Sequence, residues 1–216
     1  MSNNKVEGYT LVNANIKQVK TLDIGVGAAD GSIPAVLAAQ TAAGTAFSAF
    51  TTAKSVINGS EVVQLPANYF VPGKKLRLKV AGGISNIITT PGTVSFQMML
   101  GAVIAWTSGT IQLNAAAHTL LPFALEVDLR CDSVGATTTA KLLGIGSLRG
   151  IMFTLTAGQV DGVNSGAIMM VPATAPAVGT GFDSTAAQTL DFFTAFSISA
   201  AGNAVQIYDY TLEELN

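Results

Sequence analysis

The residue types that most often perform catalysis or bind metals are rare in this chain. It has one histidine, His118, and one cysteine, Cys131. Two such residues are too few for a zinc site of the usual Cys/His type. A Ser-His-Asp triad would have to use His118, and no serine lies in the Gly-x-Ser-x-Gly pattern that exposes such a nucleophile. We therefore predict no catalytic residue and no metal ligand, and we expect His118 to lie in a loop.

Cys131 stands between Arg130 and Asp132 at the end of an apolar run. A neighbouring arginine can lower the pKa of a thiol and so activate it. The position at a strand end instead predicts a half-buried structural thiol. A lone cysteine forms no intrachain disulfide, which is typical of a protein assembled in a reducing cytoplasm.

A glycine-rich run at residues 144–150, Gly-Ile-Gly-Ser-Leu-Arg-Gly, resembles a dinucleotide-binding loop. It has one residue too many, and no helix pattern follows it. We therefore expect these glycines to allow a strand bend or close packing. No cofactor is predicted. The acidic residues are scattered, so a glycosidase-type carboxylate pair has no support.

One local patch is basic. It consists of Lys74, Lys75, Arg77 and Lys79, with Tyr69 and Phe70 nearby. Aromatic side chains beside lysines and arginines can stack nucleic-acid bases. The whole chain, however, carries a net charge of −2 and so has no global basic field. We predict a solvated or subunit-facing strand here and no nucleic-acid partner.

Small uncharged residues dominate the composition. Alanine, threonine, glycine and serine account for 91 of the 216 residues, and charged residues for 11%. An average soluble domain has about 25% charged residues. The low charge and high apolar content exclude disorder driven by charge repulsion. They also predict an exterior that packs readily against other subunits.

The charges are distributed unevenly along the chain. All 11 lysines and arginines lie at or before Arg149, and the last 67 residues contain six acids and no base. The first 149 residues thus carry +4 and the remainder −6. In a sandwich these segments interleave, so the charges can cancel within one subunit. Alternatively, a basic face pairs with an acidic face of a neighbour; the sequence leaves both options open.

The sequence has no segment that predicts membrane insertion or secretion. Residues 1–8 lack the apolar core of a signal peptide. The most apolar long stretch, residues 33–50, is interrupted by polar residues and glycine, so we do not predict a membrane span or a membrane partner. Residues 58–60, Asn-Gly-Ser, match a glycosylation sequon but are predicted to form a turn.

From Ser60 onward apolar residues recur with a period of two, which predicts strands. In Lys75–Val80 the odd positions are basic and the even positions apolar. The predicted strands are 61–65, 75–80, 94–106 with a kink at Gly101, 110–113, 120–131, 137–148, 151–155, 168–171, 189–199 and 205–212. Residues 172–187 read as a long loop. Short strands at this spacing, without a long amphipathic helix, predict an all-β antiparallel sandwich.

The first 58 residues look different from the rest. Small residues dominate positions 25–53, and Pro34 followed by an alanine-rich run predicts a short helix over residues 35–40. We interpret residues 1–58 as an irregular N-terminal arm and residues 59–216 as the sandwich.

Several segments carry a family resemblance. They are residues 65–82, residues 89–94 with Gly101, residues 176–191, and the end of the chain from Gly202-Asn203 to Tyr208–Asn216. In order and spacing they resemble a family of tailed-bacteriophage virion proteins. The resemblance implies a jelly-roll-like sandwich in a capsid decoration (cement) protein, or in a head or tail fibre component, and such modules are commonly trimers. It implies no catalytic, cofactor-binding or metal-binding residues.

These observations lead to a first hypothesis and two alternatives. The first is a non-enzymatic virion protein, made in the host bacterial cytoplasm, that forms a homotrimer and binds the major capsid protein on the capsid surface. The second is a tail, baseplate or fibre module of the same fold. The third is a carbohydrate-binding sandwich, for which Trp106, Tyr208 and Tyr210 are the candidate aromatics. Trp106 ends an apolar strand and is expected in the core. An enzyme is the least favoured reading.

Overall fold

A computed structural model describes residues 35–87, 90–154, 167–172 and 178–216. Over these residues the secondary structure consists of β-strands, and every strand pair is antiparallel. The predicted all-β antiparallel sandwich is confirmed. Residues 1–34 and the middle of the predicted loop, residues 173–177, lie outside the described part.

The strands vary in length from two to sixteen residues. In chain order they are β1 (Ala35–Ala39), β2 (Phe47–Ser48), β3 (Lys54–Ser55), β4 (Val63–Leu65), β5 (Lys75–Asn86), β6 (Thr93–Leu100), β7 (Val103–Thr107), β8 (Ile111–Leu113), β9 (His118–Ser133), β10 (Lys141–Gly150), β11 (Phe153–Thr154), β12 (Ala167–Val171), β13 (Gln188–Phe196) and β14 (Ala204–Glu214).

The described strands form two sheets. Sheet A has the order β1-β14-β5-β9-β10-β12, with β2 also paired to β14. Sheet B has the order β11-β8-β6-β13-β3, with β4 paired to β13 and β7 paired to β6. The chain passes repeatedly from one sheet to the other, as in a jelly roll, so residues distant in sequence become neighbours on one face.

The longest strands obey the predicted alternation. In β5, Leu76, Leu78 and Val80 are at most 2% exposed, whereas the basic residues between them face outward. Strand β9 shows the same pattern and pairs with β5 in a register that places Leu78 opposite Val127. Since successive side chains of a strand point to opposite faces, one face joins the core and the other meets solvent.

Aromatic rings join the two sheets at the centre of the core. Phe96 of sheet B stacks on Phe123 of sheet A with ring centroids 5.2 Å apart, and on Phe192 at 6.0 Å. Phe192 in turn lies 6.4 Å from the ring of Tyr210 in sheet A. Such pairs add to the stabilisation that burial of their apolar area provides.

Between residues 94 and 118, two local predictions are wrong. Residues 94–106 do not form one kinked strand, because the chain reverses at Gly101, which has a φ of 57°, and β6 pairs with β7 as a hairpin. Glycine adopts this left-handed conformation without steric cost. His118 is not in a loop but begins β9, opposite Asn86 of β5.

Residues 35–58 belong to the sandwich and are not a separate arm. Residues 35–39 form strand β1 on the edge of β14 instead of the predicted helix. Phe50, Val56 and Ile57 are 7%, 1% and 6% exposed and pack into the core. The edge of β14 supplies backbone partners that outweigh the weak helix propensity of this segment. The rest of the predicted arm, residues 1–34, lies outside the described residues.

Candidate interaction surface

The outer face of sheet A has two halves of different chemistry. The charged half covers β14, β5 and β9. Its ionic side chains are Lys75, Arg77, Lys79, Glu126, Asp128, Arg130, Asp132, Asp209 and Glu213. The apolar half covers β10 and β12 and the turn after β10. Its large apolar side chains are Ile145, Ile151, Ile168 and Met170, which are 42%, 58%, 70% and 62% exposed.

Cross-strand ion pairs satisfy most of the charged half. Arg77 Nε and Nη2 donate to Asp128 Oδ1 and Oδ2 at 2.7 and 2.9 Å, a bidentate contact between β5 and β9. These hydrogen bonds hold the pKa of the Asp128 carboxyl below its usual value. Glu126 Oε1 lies 3.4 Å from the same Arg77 Nε. The strand register alone aligns these partners, because residues 77 and 128 are direct neighbours.

Two of the three acids of β14 pair with lysines in or just before β5. Lys79 Nζ lies 3.1 Å from Glu213, and Lys74 Nζ lies 2.8 Å from Glu214. The uneven charge along the chain is therefore compensated here within the subunit. For Glu213 and Glu214, these contacts support the first of the two options left open by the sequence, which is pairing within one subunit.

The predicted basic patch is divided between the two sides of sheet A. Lys74 is directed into a buried contact: its Nζ lies 3.9 Å from the centroid of the Tyr69 ring, and the Tyr69 hydroxyl donates to Glu214 at 2.8 Å. Burial and this hydrogen bond raise the pKa of Tyr69. Tyr69 and Phe70 are 5% and 4% exposed, so neither ring is presented for base stacking.

A shallow groove crosses the outer face perpendicular to the strands. It follows one row of register neighbours, which are Asp209, Ala81, Ala124, Arg149 and Ile168, on β14, β5, β9, β10 and β12. A depression of about 190 Å³ is lined by the first four, and an adjoining one of about 350 Å³ shares Ala124 and Arg149 and extends to Ile151 and Ile168. We call this row the alanine groove, because Ala81 and Ala124 form its floor.

The two residues considered for chemistry are placed in structural roles. Cys131 is 1% exposed, more deeply buried than the half-buried thiol predicted. Burial, followed by the negative charge of Asp132, raises the pKa of the thiol, which is the opposite of activation. His118 is partly exposed at the start of β9, with its Nε2 atom buried.

The glycine-rich run of β10 provides close packing, as predicted. A side chain at Gly144 would collide with the ring of Trp106, and Trp106 Nε1 donates to the Gly144 carbonyl at 3.1 Å. Strand β10 passes directly over the indole because it has no Cβ at this point. No helix follows the run; residue 150 leads into a turn and then β11.

The three aromatics proposed for carbohydrate binding do not form one platform. Trp106 and Tyr210 are 3% and 0% exposed, whereas Tyr208 is 42% exposed. A β-bulge between Ile207 and Asp209 separates the faces to which residues 208 and 210 point. Alternation along this segment could have indicated the burial of Tyr210, but the bulge could not be predicted.

Sequence reasoning missed a buried polar cluster in the core. The Tyr210 hydroxyl and the Glu61 Oε2 atom are buried and lack a hydrogen-bond partner among the described residues. Burial, together with the charges of Asp191 and Glu61, raises the pKa of Tyr210. No sequence signal brings these three positions together, since they lie on segments far apart in the chain.

Within the described ranges, no group of three or more histidine, cysteine, aspartate or glutamate residues is arranged to hold a metal ion. The same ranges contain no helix long and apolar enough to cross a membrane. Neither the protein-family models nor the curated proteins compared with this sequence gave a match.

Proposed function

We propose that this chain is a non-enzymatic structural protein of a bacteriophage virion, a capsid decoration protein that self-associates and stabilises the head shell. The observation that carries the proposal is the apolar half of sheet A. Large contiguous apolar areas are uncommon on proteins that act as monomers, and they mark contact surfaces. The motif resemblance of residues 65–82 and 176–191 directs this contact role toward virion proteins.

The construction of the sandwich also suits a contact role. The charged half is largely compensated by its own ion pairs. In contrast, Ile168 and Met170 are more than 60% exposed on β12, the last strand of sheet A in the described part. Covering them with protein removes apolar area from water, at about 25 cal/mol per Å².

The proposed partners are further copies of the chain, forming a trimer, and the major capsid protein. Residues 1–34 are proposed as the arm that reaches neighbouring shell subunits. The proposed location is the capsid surface of the virion, after synthesis in the host cytoplasm.

Mass spectrometry of purified particles tests the proposal. We expect the chain in intact particles and in heads freed of tails, at a copy number that scales with the shell. A chain recovered only with tails or fibres would favour the second candidate, a tail, baseplate or fibre module. A chain missing from both preparations would overturn a virion role.

The carbohydrate-binding alternative retains one supporting observation, the exposed ring of Tyr208. A glycan array with the wild-type chain and a Tyr208→Ala variant examines it. Binding that the variant loses would favour host-surface recognition, and no binding by the wild type would remove this candidate.

A further inference from the structure

We propose that two copies of this chain pair face to face through the alanine groove, related by a twofold axis, with Arg149 of each copy against Asp209 of the other. A twofold contact joins two copies and does not by itself form the proposed trimer, so it is a second contact between copies of the chain. It rests on the geometry of sheet A, which holds whether or not the trimer forms.

The floor of the groove permits close approach. Ala81 and Ala124 are register neighbours on β5 and β9, and each presents only a methyl group on the outer face. Packed sheets normally lie about 10 Å apart when larger side chains interdigitate. Methyl groups at the centre leave room for an opposing sheet, so the groove of a second copy can pack against the first.

The two alanines of the groove floor are flanked by opposite charges, Asp209 on one side and Arg149 on the other. Arg149 and Asp209 are both exposed, and neither has an ion-pair partner in the described part of the chain. The adjacent charges Lys79 and Glu126 do have such partners, Glu213 and Arg77. Three strand spacings separate β14 from β10, about 14 Å, so the backbones of residues 149 and 209 are far apart within one copy.

This arrangement is complementary to itself. A twofold axis that lies between the two sheets, parallel to the strands and above the midpoint of Ala81 and Ala124, exchanges the positions of Asp209 and Arg149. It therefore places the cation of one copy over the anion of the other, twice per dimer, as an isologous interface requires. The same rotation brings Ile168, next to Arg149, under the opposing sheet and covers part of the apolar half. The two ion pairs set the register, and the apolar contacts supply most of the affinity.

A charge swap tests the contact. Sedimentation velocity of the purified full-length chain should show a dimer that dissociates on dilution. Arg149→Asp and Asp209→Arg, each alone, should raise its dissociation constant at least tenfold, because like charges then oppose each other. The double variant Arg149→Asp/Asp209→Arg should restore the wild-type value. Pairing within one copy cannot explain this rescue, given the separation of the strands.

The matched control swaps the two charges of an ion pair that already forms within the subunit, Arg77 with Asp128. Arg77→Asp/Asp128→Arg keeps an ion pair between β5 and β9 and should leave the dissociation constant unchanged. Ile168→Asp should weaken the dimer without being rescued by the charge swap. Circular dichroism establishes that each variant is folded.

The outcomes separate this contact from the proposed function. A monomeric wild type, or a double variant no better than the single variants, would overturn the twofold contact. Oligomers that persist in every variant would also overturn it but leave a virion role intact. If the dimer behaves as expected but the chain is missing from purified particles, the twofold contact is supported and the virion role is overturned.

Discussion

At the scale of single residues, the packing of β10 over Trp106 shows how one missing Cβ decides a local arrangement. Gly144→Ala would place a methyl group against the indole ring and the Leu129 side chain. Overpacking of this kind costs about 1–3 kcal/mol. We expect urea unfolding to show a loss of that order.

The control for this substitution is Gly59→Ala in the turn at residues 58–60. A Cβ at Gly59 meets no atom within 4 Å, so the free energy of unfolding should change by less than about 0.5 kcal/mol. Equal stability of the two alanine variants would contradict the idea that position 144 must be glycine because of its contact with Trp106.

Asp191 gives a prediction about pH. Burial raises the pKa of its carboxyl, although Ser55 and the Phe192 amide donate to its Oδ1 atom. A raised pKa in the folded state means that the residue favours folding when protonated, and that this contribution is lost as the pH rises through the folded pKa. Asp191→Asn keeps an acceptor oxygen at Oδ1 without the charge. We expect the variant to be more stable than wild type near pH 7.

The gain from Asp191→Asn should shrink as the pH falls below the ordinary aspartate pKa, about 3.9, because the wild-type carboxyl is then neutral in both states. Urea unfolding at several pH values measures this trend. A stability difference that is constant with pH, or that grows in acid, would contradict a burial penalty at this position.

At the scale of elements, two adjacent glutamates of β14 differ because alternation sends them to opposite faces. Glu214 is buried with Lys74, and both side chains are 10% exposed, whereas Glu213 meets Lys79 on the outer face, where the lysine is 45% exposed. Removing one partner of a buried ion pair leaves an uncompensated charge and costs about 3 kcal/mol. An exposed pair contributes less than about 1 kcal/mol.

We therefore expect Glu214→Gln to destabilise the protein by several times as much as Glu213→Gln, measured by urea unfolding. Raising the salt concentration should reduce the small effect of the second variant more than the large effect of the first, because buried pairs are screened less. Equal losses for the two variants would show that the contact of Lys74 and Tyr69 with Glu214 does not hold β14 in place.

At the scale of the whole molecule, we expect the chain to tolerate a deletion that ends at residue 34 but not one that ends at residue 58. Deleting residues 2–34 leaves all fourteen described strands, so we expect a soluble chain that unfolds cooperatively. Deleting residues 2–58 also removes β1, β2 and β3 and the buried side chains of Phe50 and Val56. Thermal unfolding followed by circular dichroism should show a cooperative transition only for the shorter deletion.

Binding of the shorter deletion to undecorated particles then examines the proposed arm. Loss of binding by a chain that remains folded would support a contact role for residues 1–34. Full occupancy on the particles would contradict it, and a cooperative transition in the 2–58 deletion would contradict the role of β1 to β3 in the sandwich.

Much of the fold could be predicted because alternation is a local property of the chain. The basic and apolar positions of residues 75–80 assign each side chain of β5 to a face before any partner is known. The same holds for residues 125–130 of β9. A side chain in a strand has only two directions, so a period of two determines its burial.

That residues 35–58 belong to the sandwich could not be predicted in this way. The sequences of β1, β2 and β3 show little alternation. β1 and β2 are strands because they pair with the open edge of β14, and β3 is a strand because it pairs with the open edge of β13. The hairpin at Gly101 and the bulge at residue 208 likewise depend on backbone geometry. A bulge inserts one extra residue into one strand and so shifts the register of all residues beyond it.

By itself, then, the amino-acid sequence determined the class of secondary structure, the two faces of the long strands and the scarcity of reactive groups. The tertiary structure alone decided which charges meet, that a bulge turns Tyr208 and Tyr210 to opposite faces, and that five residues from five strands form the alanine groove. The physical reason is that alternation specifies a direction for each side chain, whereas strand order and register specify its neighbours. Pairing between distant segments sets that order, and it is not encoded in any local pattern.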